Sequence, residues 1–243
     1  MKRTVLFFST FIIATLALSQ TKSKGGLFGS VKDALTKKTG TSSLTNDEII
    51  AGLKEALSVG ATNSSNKLSA ADGFFKDAAV KILMPEQVQK VEKKMRTLGM
   101  GKMVDNAILS MNRAAEDASK SAAPIFLDAI KGMSISDALN ILKGTDTAAT
   151  GYLKKTTTNP LTEAFRPVIE TSLKKVDATK YWKDVFSVYN KFSSEPVNTD
   201  LNAYVTERAL QGIFYYVAEE EKKIRKDPAA RATDILKKVF GSK

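Results

Sequence analysis

The sequence predicts an all-α, single-domain bundle of about nine helices with no sheet. Apolar residues recur at three- and four-residue spacing along most of the chain. The runs open on Ser, Thr, Asp or Pro and close on Gly, and no stretch of four or more residues alternates convincingly with period two. Residues 1–19 read as a signal peptide, 20–43 as a flexible polar leader and 44–241 as the helical domain. No segment within 44–241 is long enough to serve as a linker between separate cores.

The elements follow in order. Thr45 to Glu48 has the pattern of a capping box, in which hydroxyl and carboxylate each satisfy an orphan amide. Ile49, Ile50, Leu53 and Leu57 continue at helical spacing, and Gly60 is expected to end that run before the polar stretch Asn63–Asn66. Asp72-Gly73 marks a turn. Pro85 opens a helix carrying Val88, Val91, Met95 and Leu98, stopped at Gly99. Val104, Ile108, Met111, Ala115, Ala118 and Ala122 then form a bundle seam whose alanine half lets another helix come close. Pro124 opens a helix with Phe126, Ile130 and Met133. Ser134 or Ser136 caps the next, and Gly144 closes it.

A short helix is expected from Asp146 through Leu153. Asn159-Pro160 is read as a break and Pro167 as a second boundary, around the apolar series Leu161, Phe165, Ile169, Leu173. Tyr181, Trp182, Phe186, Tyr189 and Phe192 make an aromatic helix. The longest helix is expected from Asp200 to Arg225, followed by Asp227-Pro228 and a final helix with Ile235, Leu236, Val239 and Phe240.

Composition narrows the chemistry. The 243 residues include no cysteine and no histidine. That excludes disulfides, thiolate nucleophiles, imidazole relays and the usual zinc and di-iron sites, and no cofactor or metal is expected. Lys2 and Arg3 precede an apolar run, Val5 to Leu18, shorter than the roughly 20 residues of a membrane-spanning helix. Small residues at Ala17 and Ser19 suit cleavage, so the chain reads as exported, periplasmic or secreted, with no transmembrane segment after signal removal. A retained N-terminal anchor is the rival reading. Losing Lys2 and Arg3 takes the net charge from +11 to +9, which suits an anionic envelope surface. Nucleic acid is not an expected partner: export removes it, and the basic residues are not interleaved with aromatics. The clusters Lys90, Lys93, Lys94, Arg96 and Lys222, Lys223, Arg225, Lys226 read first as solvated helix faces.

Met111 to Glu116 (MNRAAE), Ile141 to Gly144 (ILKG), Ala148 to Thr150 (AAT), Tyr204 to Thr206 (YVT) and Glu220 to Arg225 (EEKKIR) occur in this order, with Val239 to Gly241 (VFG) at the end. On these motifs the chain resembles a bacterial family of exported or lipoprotein-like members, domain of unknown function 4197, over roughly residues 44–241. The resemblance implies no activity, cofactor or catalytic residue. The absence of cysteine at the cleavage site closes the lipoprotein route here.

Three constellations are candidate sites. Asn112, Arg113 and Glu116 form a polar centre beside the alanine seam, either a site facing a cavity or a network fixing helix register. Glu220 and Glu221 with Arg225 and Arg231 form a second, in which Glu221 and Arg225 have the i, i+4 order of an ion pair. The third is the aromatic stripe Tyr181, Trp182, Phe186, Tyr189, read as core or as the wall of an apolar pocket. No catalytic residue is assigned. A binding or scaffold module of the envelope, open to an apolar or lipid ligand, is the leading expectation. A carboxylate-dependent hydrolase of wall or glycan material is the alternative, which requires a cleft with two carboxylates about 5–10 Å apart. N-terminal sequencing of the exported protein should begin at Gln20; recovery of Met1 from the cytosol would overturn the export reading.

Overall fold

The computed structural model describes residues 45–175, 178–192, 194, 196 and 200–227. Among them the fold is all-helical, with no strand. The helices are α1 (Asn46–Ser69), α2 (Gln89–Met95), α3 (Gly101–Ser119), α4 (Ala122–Lys131), α5 (Ile135–Lys143), α6 (Ala148–Lys174), α7 (Ala178–Phe192) and α8 (Leu201–Lys226). Five of these, α1, α3, α6, α7 and α8, have fifteen residues or more and build the bundle, where the sequence led to an expectation of about nine helices. The final helix and Arg231 expected from the sequence, the signal peptide and the leader lie outside the described residues.

The count falls because three expected breaks, at Gly60, Pro160 and Pro167, do not break the helix. In α1 the capping box forms as expected: Thr45 Oγ1 accepts from the Glu48 N–H at 3.3 Å, and Glu48 Oε2 accepts from the Thr45 N–H at 2.8 Å. The helix then runs through Gly60 and Asn63–Asn66 to Ser69. Gly60 packs at a helix crossing, where an added Cβ would stand 3.3 Å from Glu220 Cβ. The buried Ser64 and Ser65 return their hydroxyls to the carbonyls of Gly60 and Ala61, so their polarity costs nothing unsatisfied.

In α6, Pro160 and Pro167 sit inside a single helix, which is the longest described, one residue longer than α8. Both prolines are exposed, so the carbonyls they leave free can be hydrated. On the opposite face Leu153, Thr157, Leu161, Phe165, Ile169 and Leu173 follow one another every four residues, all buried. An interior proline costs about 3 kcal/mol, while each large apolar side chain contributes roughly 1.5–3 kcal/mol on full burial. The continuous stripe therefore outweighs the breaks.

The seam read in α3 is real: Val104, Ile108, Met111, Ala115 and Ala118 are all buried. α6 packs along α3 and along α8, and α1 packs against α8 and α4, so these four long helices enclose the core while α7 contacts α6 and α8. Between α1 and α2 the chain makes a turn at Asp72 (φ 67°) and Gly73 and then a non-helical strap, residues 81–85. Gly73 must be glycine for reasons of space, since a Cβ there would lie 2.4 Å from the Lys67 carbonyl oxygen. Phe74, fully buried, fits against Gly212 of α8, where a Cβ would come within 2.5 Å of its ring. Gly99, at φ 83°, kinks the chain between the arm that continues α2 and the start of α3.

Pro160→Ala should raise the free energy of unfolding, by up to about 3 kcal/mol, whereas Phe165→Ala should lower it by about 3–5 kcal/mol. Urea titration of both variants measures this. Destabilisation by Pro160→Ala would mean that the packing of α6 requires a proline-bent axis.

Candidate functional site

The first polar constellation is a clamp on the α1–α2 connection. Glu116 is buried on α3, and its Oε1 accepts from the N–H groups of Phe74 and Phe75, both at 3.1 Å. Its Oε2 accepts from Arg113 at 2.6 Å, and the other guanidinium nitrogen of Arg113 reaches Asp72 Oδ1 at 2.6 Å. The hydrogen bonds of Glu116 and Asp72 raise the pKa of Arg113 further, so its charge is fixed. Lys76 and Arg113 together hold the Asp72 carboxyl below the usual carboxylate range. One turn earlier, Asn112 is fully buried and reads the strap like a paired backbone. Its Oδ1 accepts from the Ile82 N–H at 2.8 Å, and its Nδ2 donates to the carbonyls of Ile82 at 2.8 Å and Ile108 at 2.7 Å. Asn112, Arg113 and Glu116 are thus brought together and occupied by structure.

The second constellation repeats the device. Glu221 is buried on α8; its Oε1 accepts from the Ala149 N–H at 3.0 Å, and its Oε2 accepts from the N–H and hydroxyl of Thr150, both at 2.8 Å. These amides belong to the first turn of α6, whose N-cap residue Thr147 offers no side-chain cap. A carboxylate from another helix takes that place, where the helix dipole favours negative charge. Arg225 pairs with Glu221 Oε1 at 2.9 Å and donates to the Ile141 carbonyl at 2.8 Å, so it also ties down the end of α5. Glu220 does not join this centre. It lies over Gly60 and accepts from Asn63 Nδ2 at 3.2 Å.

A third polar cluster was not singled out from the sequence. The Tyr216 hydroxyl donates to Asp77, whose carboxylate also pairs with Lys67 at 3.3 Å, and the Lys67 ammonium lies 3.9 Å from the centre of the Tyr216 ring. Burial pushes the Asp77 carboxyl up, but the Tyr216 hydroxyl, the Ala79 N–H and Lys67 outweigh it and leave its pKa lowered. Nothing in the residue types at 67, 77 and 216 announces this cluster, because the turn at Asp72 is what folds Asp77 back onto α1 and α8.

The aromatic stripe divides. The side chains of Tyr181 and Tyr189 lie outside the described residues, while Trp182 and Phe186 are buried and stand ring to edge at 4.5 Å. Both line a cavity of about 580 Å³ bounded by α3, α7, the start of α8 and the end of the strap. Its wall on α3 includes Met103, Ala107 and Met111; Met84 and Met95 contribute two more thioethers, and Leu201 completes the apolar side. None of the described lining residues is a carboxylate. Among the described residues no group of three or more Asp or Glu side chains could hold a metal ion, and no helix is long and apolar enough to cross a membrane. Of the seam read from the sequence, Val104 and Met111 line this cavity; Met103 and Ala107 stand beside the seam on α3, and closure by Trp182, far along the chain, carries no sequence signal.

The two buried pairs should differ in strength. Arg225 is 8% exposed and Arg113 42%. Both carboxylates are buried, but water can reach the place that Arg113 leaves and cannot reach that of Arg225, so Arg225→Met should cost about 3–5 kcal/mol and Arg113→Met no more than about 1 kcal/mol. Thermal or urea denaturation of the two variants measures the difference, and equal losses would show that exposure does not set the strength of these clamps.

No curated protein and no solved structure matches the chain. The family model described as Protein of unknown function (DUF4197) matches residues 43–241, a span that contains both clamps, the strap and every described residue of the cavity. With that span covering most of its length, the chain belongs to the DUF4197 family.

Proposed function

We propose that the protein is an exported envelope component that binds an apolar or lipid-like ligand in the cavity between α3 and α7. One observation carries the reading: a cavity of about 580 Å³ lined by Trp182, Phe186 and four methionines. This falls within the roughly 300–1,000 Å³ of small-molecule sites, which are apolar with a few polar groups placed among them. Methionine supports the assignment further, because its unbranched, polarizable side chain adapts to irregular apolar partners. The export half of the proposal rests on residues 1–19, and the basic charge of the chain suits an anionic envelope surface as the setting. Glu116 and Glu221, the buried carboxylates best placed for acid–base work, are committed to backbone amides and arginines, which favours binding over glycan hydrolysis.

Trp182 is the only tryptophan of the chain, so its fluorescence reports on the cavity directly. Dodecanol should shift or quench that emission saturably. Ala107→Phe, which fills the cavity from the α3 side, should weaken the response at least about tenfold while leaving the fold intact by circular dichroism. A response unchanged by Ala107→Phe would place the probe elsewhere and defeat the proposal.

A further inference from the structure

The cavity carries charge at one place. Among the described residues lining it Lys102 alone is charged, and it forms no ion pair with a described carboxylate. Arg96, on the segment before α3, is held by Glu92 at 3.0 Å and Asp105 at 2.8 Å. Lys102, Asn106 and Ser110 follow each other every four residues, so they stand on one face of α3, about 6 Å apart along its axis. All three line the cavity, and Met103, Ala107 and Met111 form the apolar stripe beside them. α3 therefore presents a polar edge with a cation at one end next to an apolar floor, and Trp182 and Phe186 lie among the facing residues of α7.

This arrangement selects an amphiphile and sets the sign of its head. A cationic head would meet Lys102 with like charge. It would also find little free aromatic face, since the Trp182 ring is stacked on Tyr204 at 5.6 Å and met by Phe186 at 4.5 Å. A single ammonium neutralises a single negative charge, which matches a carboxylate better than a phosphate monoester of nearly two charges. We infer that the ligand is a single-chain carboxylate of the fatty-acid kind, its head at Lys102 and Asn106 and its hydrocarbon chain along Met103, Ala107 and Trp182. The inference rests on the cavity being a ligand site, and it adds the head group and its position.

The experiment compares dodecanoate, dodecanol and dodecyltrimethylammonium as ligands of the full protein, read by Trp182 fluorescence. It is run at about pH 8, well above the roughly 4 at which a carboxylic acid ionises. Dodecanoate should bind about fivefold more tightly than dodecanol, the scale of one partly exposed ion pair, and the ammonium compound should bind more weakly than either. Lys102→Met should abolish the advantage of dodecanoate over dodecanol, while saturable binding of dodecanol shows that the variant is folded. If dodecanoate binds no better than dodecanol, or keeps its advantage in Lys102→Met, the head-group assignment is overturned while the cavity remains a ligand site. If none of the three probes affects Trp182, the cavity reading itself fails and the carboxylate inference goes with it.

Discussion

A carboxylate taken out of water has to be met by donors, and Glu116 and Glu221 are met by pairs of backbone N–H groups that their own segments leave unsatisfied. The rest of the structure depends on that exchange. The turn at Asp72–Phe75 and the first turn of α6 both present consecutive amides without a local acceptor. Each is supplied with one from a helix distant in sequence, and an arginine balances the charge. The result is directional in a way that apolar packing is not. A leucine stripe tolerates sliding by fractions of a turn, whereas two N–H groups on one carboxylate fix both the axial position and the rotation of the helix that carries it.

Much of the architecture was legible because helical bundles are written in local terms. The capping box at Thr45, the glycine at Gly144, the seam from Val104 to Ala118 and the start of α8 next to Asp200 stand where residue types and spacing place them, and of the two serines open as the cap of α5 it is Ser134 that serves. Local signals failed where they competed with a long-range one. Pro160 and Gly60 are breakers by propensity, and both are overruled by faces whose burial depends on a partner helix the sequence does not identify. The same limit applies to the polar residues. Asn112, Arg113 and Glu116 stood out as a group beside an alanine seam, but their partners are main-chain atoms at Phe74, Phe75 and Ile82, which have no signature in residue identity.

Of the two readings open for the polar centre, a site facing a cavity and a network fixing register, the geometry favours the second, and it links the centre to the cavity at one remove. Asn112 holds Ile82, and Met84, two residues on, is part of the cavity wall. Tyr204 holds the strap from the other side, its hydroxyl donating to the Leu83 carbonyl at 2.8 Å, while its ring stacks on Trp182. A tyrosine of α8 thus touches two walls of the proposed ligand site, one through its oxygen and one through its ring.

The strap has a kinetic consequence. Its hydrogen-bond partners lie 30 residues away at Asn112 and 121 residues away at Tyr204, so this wall cannot close until most of the chain is present and α8 has docked. Contacts so distant in sequence form late, because a long loop must first be closed against its own entropy. A chain emerging from its N-terminus therefore completes this wall only once α8 is in place.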